Sequence, residues 1–372
     1  MFKKQAVNLK IVFMFIYFSY VLILSLNAFL KPLYNWDMIP YVAVVLSLEQ
    51  SDKKTVHTIT YEQIRQSVPA QDYANNTVTP YQKKMETNYE YFSQQLPFYQ
   101  IRPLYTTLIY LVYKTGINIV TAIIIISILS SILMSIIILR WLLDYLDSFY
   151  AYLFSFLIIH SAGVLQIARV FTPDALSAAI LILSIYVLTR RQVYFAGLLL
   201  VLAIFARTDN IILVVLALSY LRFFSLNEYR LNWARYISFV LLSVFSYLSI
   251  NYFANNYGWA TIFHHTLIGL INNPADYHPT VTWIDYLRVL KQNGFEAFLF
   301  VNSFLVFLLC AFITIIKGDK KIYSHLTILM ILSVVIHFLL FPAPFWQRFF
   351  IAHYSIISIA MIVTVFHKVK PY

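Results

Sequence analysis

IVFMFIYFSYVLILSLNAFL, from Ile11 to Leu30, runs without a single charged residue. About 20 helical residues at 1.5 Å each make roughly 30 Å, the thickness of a bilayer's hydrocarbon core. Lys3, Lys4 and Lys10 precede the stretch. A cleaved export signal has a shorter apolar run and a small-x-small cleavage site. This segment has neither, so it is read as a retained membrane helix.

The rest of the chain has the same character. It is 60% hydrophobic and only 12% charged, a balance that no soluble domain of 372 residues requires. Aromatic residues, chiefly Tyr and Phe, make up 18%, which suits interfacial belts and lipid-facing helices. Further apolar runs lie near 118–139, 149–168, 174–189, 234–254, 295–316, 323–341 and 349–366. Between 192 and 224 two shorter runs flank Arg207-Thr208-Asp209. Each gives only about 20 Å of helix, so the pair is read as a hairpin with a charged tip. The expected fold is an all-α polytopic bundle of about ten membrane segments in a single domain, 1–372, with both termini cytoplasmic.

The charges agree with that topology. The net charge of +11 is scattered at segment ends rather than gathered in one patch, so no nucleic-acid surface is indicated. Arg140, Arg190, Arg191, Arg222, Arg230, Arg235, Lys317, Lys320, Lys321, Lys368 and Lys370 fall on the inner side of the alternation. The short outer loops carry only Arg169 and Arg348. The single cysteine, Cys310, excludes an intrachain disulfide, a CxxC motif and a cysteine-based metal site.

Two outer loops are long. In the first, about 31–103, Thr60 to Val68 and Pro80 to Gln95 read as short amphipathic helices, with Glu86 and Glu90 on one face of the second. The Tyr and Phe residues between 89 and 105 suit a helix lying on the bilayer surface, and Pro103 opens a further apolar helix too short to cross. The second loop, about 255–294, carries His264, His265, Asp276, His278 and Trp283.

Chemistry-bearing residues gather at the outer segment ends. Asp37 lies in NWDMIPY (Asn35 to Tyr41), directly after the first span. Asp174 follows Pro173 at the start of a later span, and Arg348 sits between aromatics in PFWQRFF (Pro344 to Phe350). Acidic groups at a lipid–water interface are costly to keep without a task. Each also has a structural reading: Asp37 as the cap of a helix opening near Pro40, Asp174 as a dipole-stabilised helix start, Arg348 and Arg169 as snorkelling cations, and Arg207–Asp209 as a neutralised pair.

Four features in order resemble the GT-C superfamily of membrane glycosyltransferases, which take sugars from polyprenyl-phosphate carriers. They are Asp37 after the first span, the proline-led segment Arg102-Pro103-Leu104-Tyr105, the Pro173-Asp174 pair in TPDALSAAILILSIYVL (Thr172 to Leu188), and the late outer loop around Arg348. The tip Ala206 to Asn210 also looks like members of this group. Here Asp37 is followed by Met38 where many relatives carry a second acidic residue.

The resemblance implies an inverting single displacement at the extracytoplasmic face of a bacterial plasma membrane. A lipid-linked sugar is the donor, and a glycan, lipid or protein hydroxyl is the acceptor. Asp37 is the implied base, and Asp174 a second catalytic carboxylate, as a metal ligand or an acceptor-orienting group. Arg348, Arg207 and Arg169 are implied donor-phosphate contacts. Trp36, Tyr41, Tyr105, His265 and Trp346 are candidate pocket residues, and a divalent metal is a candidate cofactor. Two other readings are a transporter or flippase for a lipid-linked glycan and a membrane O-acyltransferase using His337. Asp37, Asp174 and Arg348 are expected to line one cavity, within roughly 10 to 15 Å of each other.

Overall fold

A computed structural model of the protein describes residues 2–300, 302–318, 321–343 and 347–366. Regular structure among them is helical throughout, and one isolated bridge pairs Leu33 with Val170. Helix α1 (Phe2–Leu30) leads into a group of short helices: α2 (Met38–Leu46), α3 (Lys53–Ser67), α4 (Ala70–Asn75), α5 (Pro80–Thr87), α6 (Tyr89–Ser93), α7 (Pro97–Gln100) and α8 (Pro103–Tyr113). The central run comprises α9 (Ile119–Leu143), α10 (Ser148–Ser161), α11 (Val164–Ile167), α12 (Asp174–Thr189), α13 (Val193–Ala206), α14 (Ile211–Phe223) and α15 (Trp233–Phe253). Then come α16 (Trp259–Phe263), α17 (Trp283–Phe300), α18 (Asn302–Lys317), α19 (Lys321–Leu340) and α20 (Ile351–Phe366).

Among the described residues five stretches are long and apolar enough to cross a membrane: Ile11–Leu30, Ile119–Leu143, Trp233–Phe253, Lys321–Leu340 and Arg348–Phe366. Shorter apolar helices pack among them, α10, α12 and α13 included. The chain is therefore an all-α polytopic membrane protein. Its bundle core is built on α9, α12, α13 and α20, with Trp141, Ala175, Ala179, Ala203 and Ala360 fully buried. Small residues let these helices approach closely. On α9 the hydroxyls of Ser131 and Ser135 donate to the carbonyls one turn earlier, at 2.9 and 2.8 Å, so they bury no orphan donor. On α13 a Cβ at Gly197 would come within 2.7 Å of the Phe239 ring on α15, so any larger residue there requires that ring to shift.

The short helices after α1 have their own core, in which Met38, Ile64, Met85, Phe92 and Tyr105 are buried. Three expectations are corrected here. The stretch 80–95 is not one helix: Asn88 is extended (φ −131°, ψ 107°), and its side chain accepts from the N–H groups of Glu90 and Tyr91 to start α6. Glu86 and Glu90 therefore do not share a face. Glu86 instead pairs with Arg65 at 3.2 Å and accepts from the Tyr73 hydroxyl. Nor do the aromatics of 89–105 lie as one surface helix, since Phe92 and Tyr105 face inward. The run 149–168 is also broken, at Gly163, whose φ of +83° ends α10 before α11.

Polar clusters close both ends of the bundle. At one end Asp144 pairs with Arg140 and Arg190, each at 3.2 Å, and Arg191 with Glu228 at 3.0 Å. At the other end, the connection after α1 is tied to the segment before α12. The Leu33 N–H donates to Arg169 O at 2.8 Å and the Ser127 hydroxyl to Val170 O at 2.9 Å. This tie brings Asp37 beside Asp174.

Candidate functional site

At that second end, a cavity of about 400 Å3 is lined by Asp37, Tyr41, Tyr99, Arg102, Asp174, Arg207, Asp209, His265, His337 and Arg348, among others. Residues 311 apart in sequence meet here, Arg348 Nη2 lying 3.3 Å from Asp37 Oδ2.

Asp37 occupies the N-cap position of α2 but is helical (φ −53°, ψ −27°), and its side chain makes no cap hydrogen bond. The capping role is thus excluded by geometry. Its carboxylate accepts from Asn35 Nδ2 at 2.9 Å and from the Tyr99 hydroxyl at 3.1 Å, and keeps 27% side-chain exposure. Burial and the Asp37 charge push the Tyr99 hydroxyl well above its usual range, so it remains a donor.

Asp174, 1% exposed, is held on three sides. Arg207 Nη1 contacts Oδ1, Arg348 Nε lies 3.2 Å from Oδ2, and the Thr172 hydroxyl donates to Oδ2 at 2.6 Å. Arg207 also grips Asp209 bidentately, Nε to Oδ1 at 3.0 Å and Nη2 to Oδ2 at 2.7 Å. Arg207 is extended (φ −152°, ψ 122°) and a 3-10 turn, Thr208–Asn210, follows it. That turn lets two residues that would diverge on a helix face each other. The ring of Phe349 lies 3.8 Å under the guanidinium.

Among the described residues six charged side chains line the cavity, and their charges cancel: Asp37, Asp174 and Asp209 against Arg102, Arg207 and Arg348. Arg102 differs from the other two cations. Its Nη1 donates to Phe98 O at 2.6 Å, and its guanidinium stands 5.8 and 5.9 Å from the rings of Tyr41 and Tyr99. Among the described residues it has no carboxylate within ion-pair distance. His337 Nε2 lies 3.7 Å from Asp209 Oδ2. His265 stacks on Phe98 with ring centroids 4.8 Å apart.

Among the described residues no group of three or more His, Cys, Asp or Glu side chains is placed to hold a metal. Asp37, Asp174 and Asp209 each carry a guanidinium against the carboxylate, so this donor set does not fit a divalent cation. No family model matches the chain, and neither a curated protein nor a solved structure matches it.

Of the residues singled out from sequence, Asp37, Tyr41, Asp174, Arg207, His265 and Arg348 line one cavity. Arg169 does not reach it, because its Nε donates to Lys31 O at 2.7 Å and staples the loop. Trp36 packs against Tyr81 and Tyr99 behind the wall, and Tyr105 is fully buried beneath Tyr41. Trp346 lies outside the described residues. His278 is exposed and does not line the cavity. Neither the role of Arg102 nor the Asp209 contact of His337 is evident from the sequence. The helix-opening Arg102-Pro103 step was the available signal for the first. The second needed the fold, since Asp209 and His337 belong to different hairpins.

Proposed function

We propose that this protein is a membrane glycosyltransferase that moves a sugar from a polyprenyl-phosphate carrier to an acceptor hydroxyl at the extracytoplasmic face. The observation that carries the reading is the convergence of Asp37, Asp174, Arg348 and Arg102 around one cavity. The resemblance of the same stretches to GT-C enzymes supports it, as does the excess of basic residues at the opposite end of the bundle. On this reading the shorter apolar helices complete about ten membrane segments and both termini are cytoplasmic.

Asp37 is the base. It is more exposed than Asp174, and it is not gripped bidentately as Asp209 is. It takes the proton of the acceptor hydroxyl while that oxygen attacks the anomeric carbon from the face opposite the phosphate. The bond between anomeric carbon and phosphate oxygen breaks, its electron pair leaves with the lipid phosphate, and the configuration inverts. Tyr99 and Asn35 hold the carboxylate in position. Arg102 and the part-exposed Arg348 receive the phosphate. Arg207, 7% exposed and spent on two carboxylates, fixes the hairpin tip against α12.

A second reading, O-acyl transfer by His337, rests on the Asp209 contact. The test is the purified protein in nanodiscs with a panel of undecaprenyl-phosphate monosaccharides and mixed glycan and lipid acceptors. Release of undecaprenyl phosphate with an inverted glycoside is expected. Sugar transfer that survives Asp37→Asn but not His337→Ala, or acyl transfer alone, would overturn the first reading.

A further inference from the structure

His265 lies in the π-helical turn His264–Ile268, reaches the cavity wall, and takes no part in the steps above. Its Nδ1 accepts the N–H of Ile271 at 3.0 Å. A backbone N–H can only donate, so that nitrogen carries no proton, and the neutral ring must hold its proton on Nε2. Nε2 has no partner among the described residues and is not buried. The stacked ring of Phe98 and the edge contact with Tyr81, centroids 5.8 Å apart, fix the ring plane. Adjacent His264 turns away toward Tyr277, so the two histidines do not act as a pair. Among the described residues no carboxylate lies within ion-pair distance of His265 to draw a second proton onto it.

We propose that His265 is a tautomer-locked, uncharged N–H donor that binds a neutral oxygen of the cavity's ligand, a hydroxyl or ring oxygen of the transferred sugar. The sugar assignment rests on the transferase reading, whereas the locked tautomer does not. Burial, helped by the neighbouring His264, pushes the ring down to about 4, which keeps the donor uncharged at neutral pH. The role is that of a positioning residue. A neutral donor of this kind discriminates by leaving a polar group unpaired when the ligand oxygen is missing.

The test uses 15N-histidine-labelled full-length protein in nanodiscs. The Nε2–H tautomer is expected down to about pH 5. Its resonance should move with a member of the undecaprenyl-phosphate monosaccharide panel and stay still with undecaprenyl phosphate alone. In turnover, His265→Gln, which keeps an N–H, should stay within about threefold of wild type, and His265→Ala should lose about 10- to 100-fold in kcat/KM. That loss should vanish with the deoxy-sugar donor lacking the contacted hydroxyl. An Nδ1–H tautomer, titration near the ordinary histidine value, or a response to undecaprenyl phosphate equal to that of the sugar panel would overturn the proposal. So would the correct tautomer with no response to any sugar donor. Absent turnover of every donor by the wild-type protein counts against the transferase reading instead, and leaves the tautomer result to stand on its own.

Discussion

At the scale of single residues, Asp37 and Asp174 look alike in sequence, each an aspartate where a helix begins, but they have unlike surroundings. Asp37 keeps access to the cavity, and Asp174 is enclosed by two guanidiniums and a hydroxyl. Arg102, with its one backbone contact, is the cation most available to an arriving anion. Arg102→Ala should raise the donor KM about 10- to 100-fold with a smaller change in kcat, and Arg102→Lys should recover part of it, because one ammonium cannot reproduce the planar fork. Steady-state kinetics against donor concentration check this. His265 gives a stability prediction of definite sign. Its folded-state pKa lies below the unfolded value, so between about pH 6.5 and 4 the unfolded chain binds more protons. Stability should therefore fall as pH drops through that window. Melting curves from pH 7.5 to 4.5 should flatten in His265→Gln; an unchanged slope would count against the burial of this ring.

At the scale of elements, the hairpin α13–α14 is joined to α12 through Arg207, which bridges Asp174 and Asp209. Removing Asp174 strands buried positive charge from Arg207 and Arg348. Asp174→Ala should cost about 3–5 kcal/mol, read as lost folded yield or a lowered melting temperature in detergent. Gly197→Ala should displace Phe239 and cost about 1–3 kcal/mol, by the same measurement. The sequence showed the hairpin readily, because two apolar runs too short to cross flank a charged tip. It did not show that Arg207 reaches α12, since that contact spans 33 residues and depends on the 3-10 turn. The failures were local as well. Hydrophobic patterning carried one helix through Asn88 and another through Gly163, where a side-chain cap and a left-handed backbone intervene.

At the scale of the whole molecule, both polar ends were legible as charge at the ends of apolar runs. What each polar residue does there was not: Arg169 is spent on a loop carbonyl, while Arg102 and His337 face the cavity. The end bearing Asp144, Arg190 and Glu228 is expected to face the cytoplasm and the cavity the outside. With Cys310 replaced by serine, a cysteine at Gln71 should react with a membrane-impermeant maleimide in intact cells. One at Glu228 should react only after permeabilisation, and the reverse pattern would invert the topology. The central claim, that Asp37 draws the acceptor proton in an outward-facing cavity, is tested most directly by single-turnover sugar transfer in nanodiscs with wild-type and Asp37→Asn protein of matched melting temperature. A loss of at least about 100-fold in the variant, with the donor still bound, is expected. Transfer at the wild-type rate would contradict it.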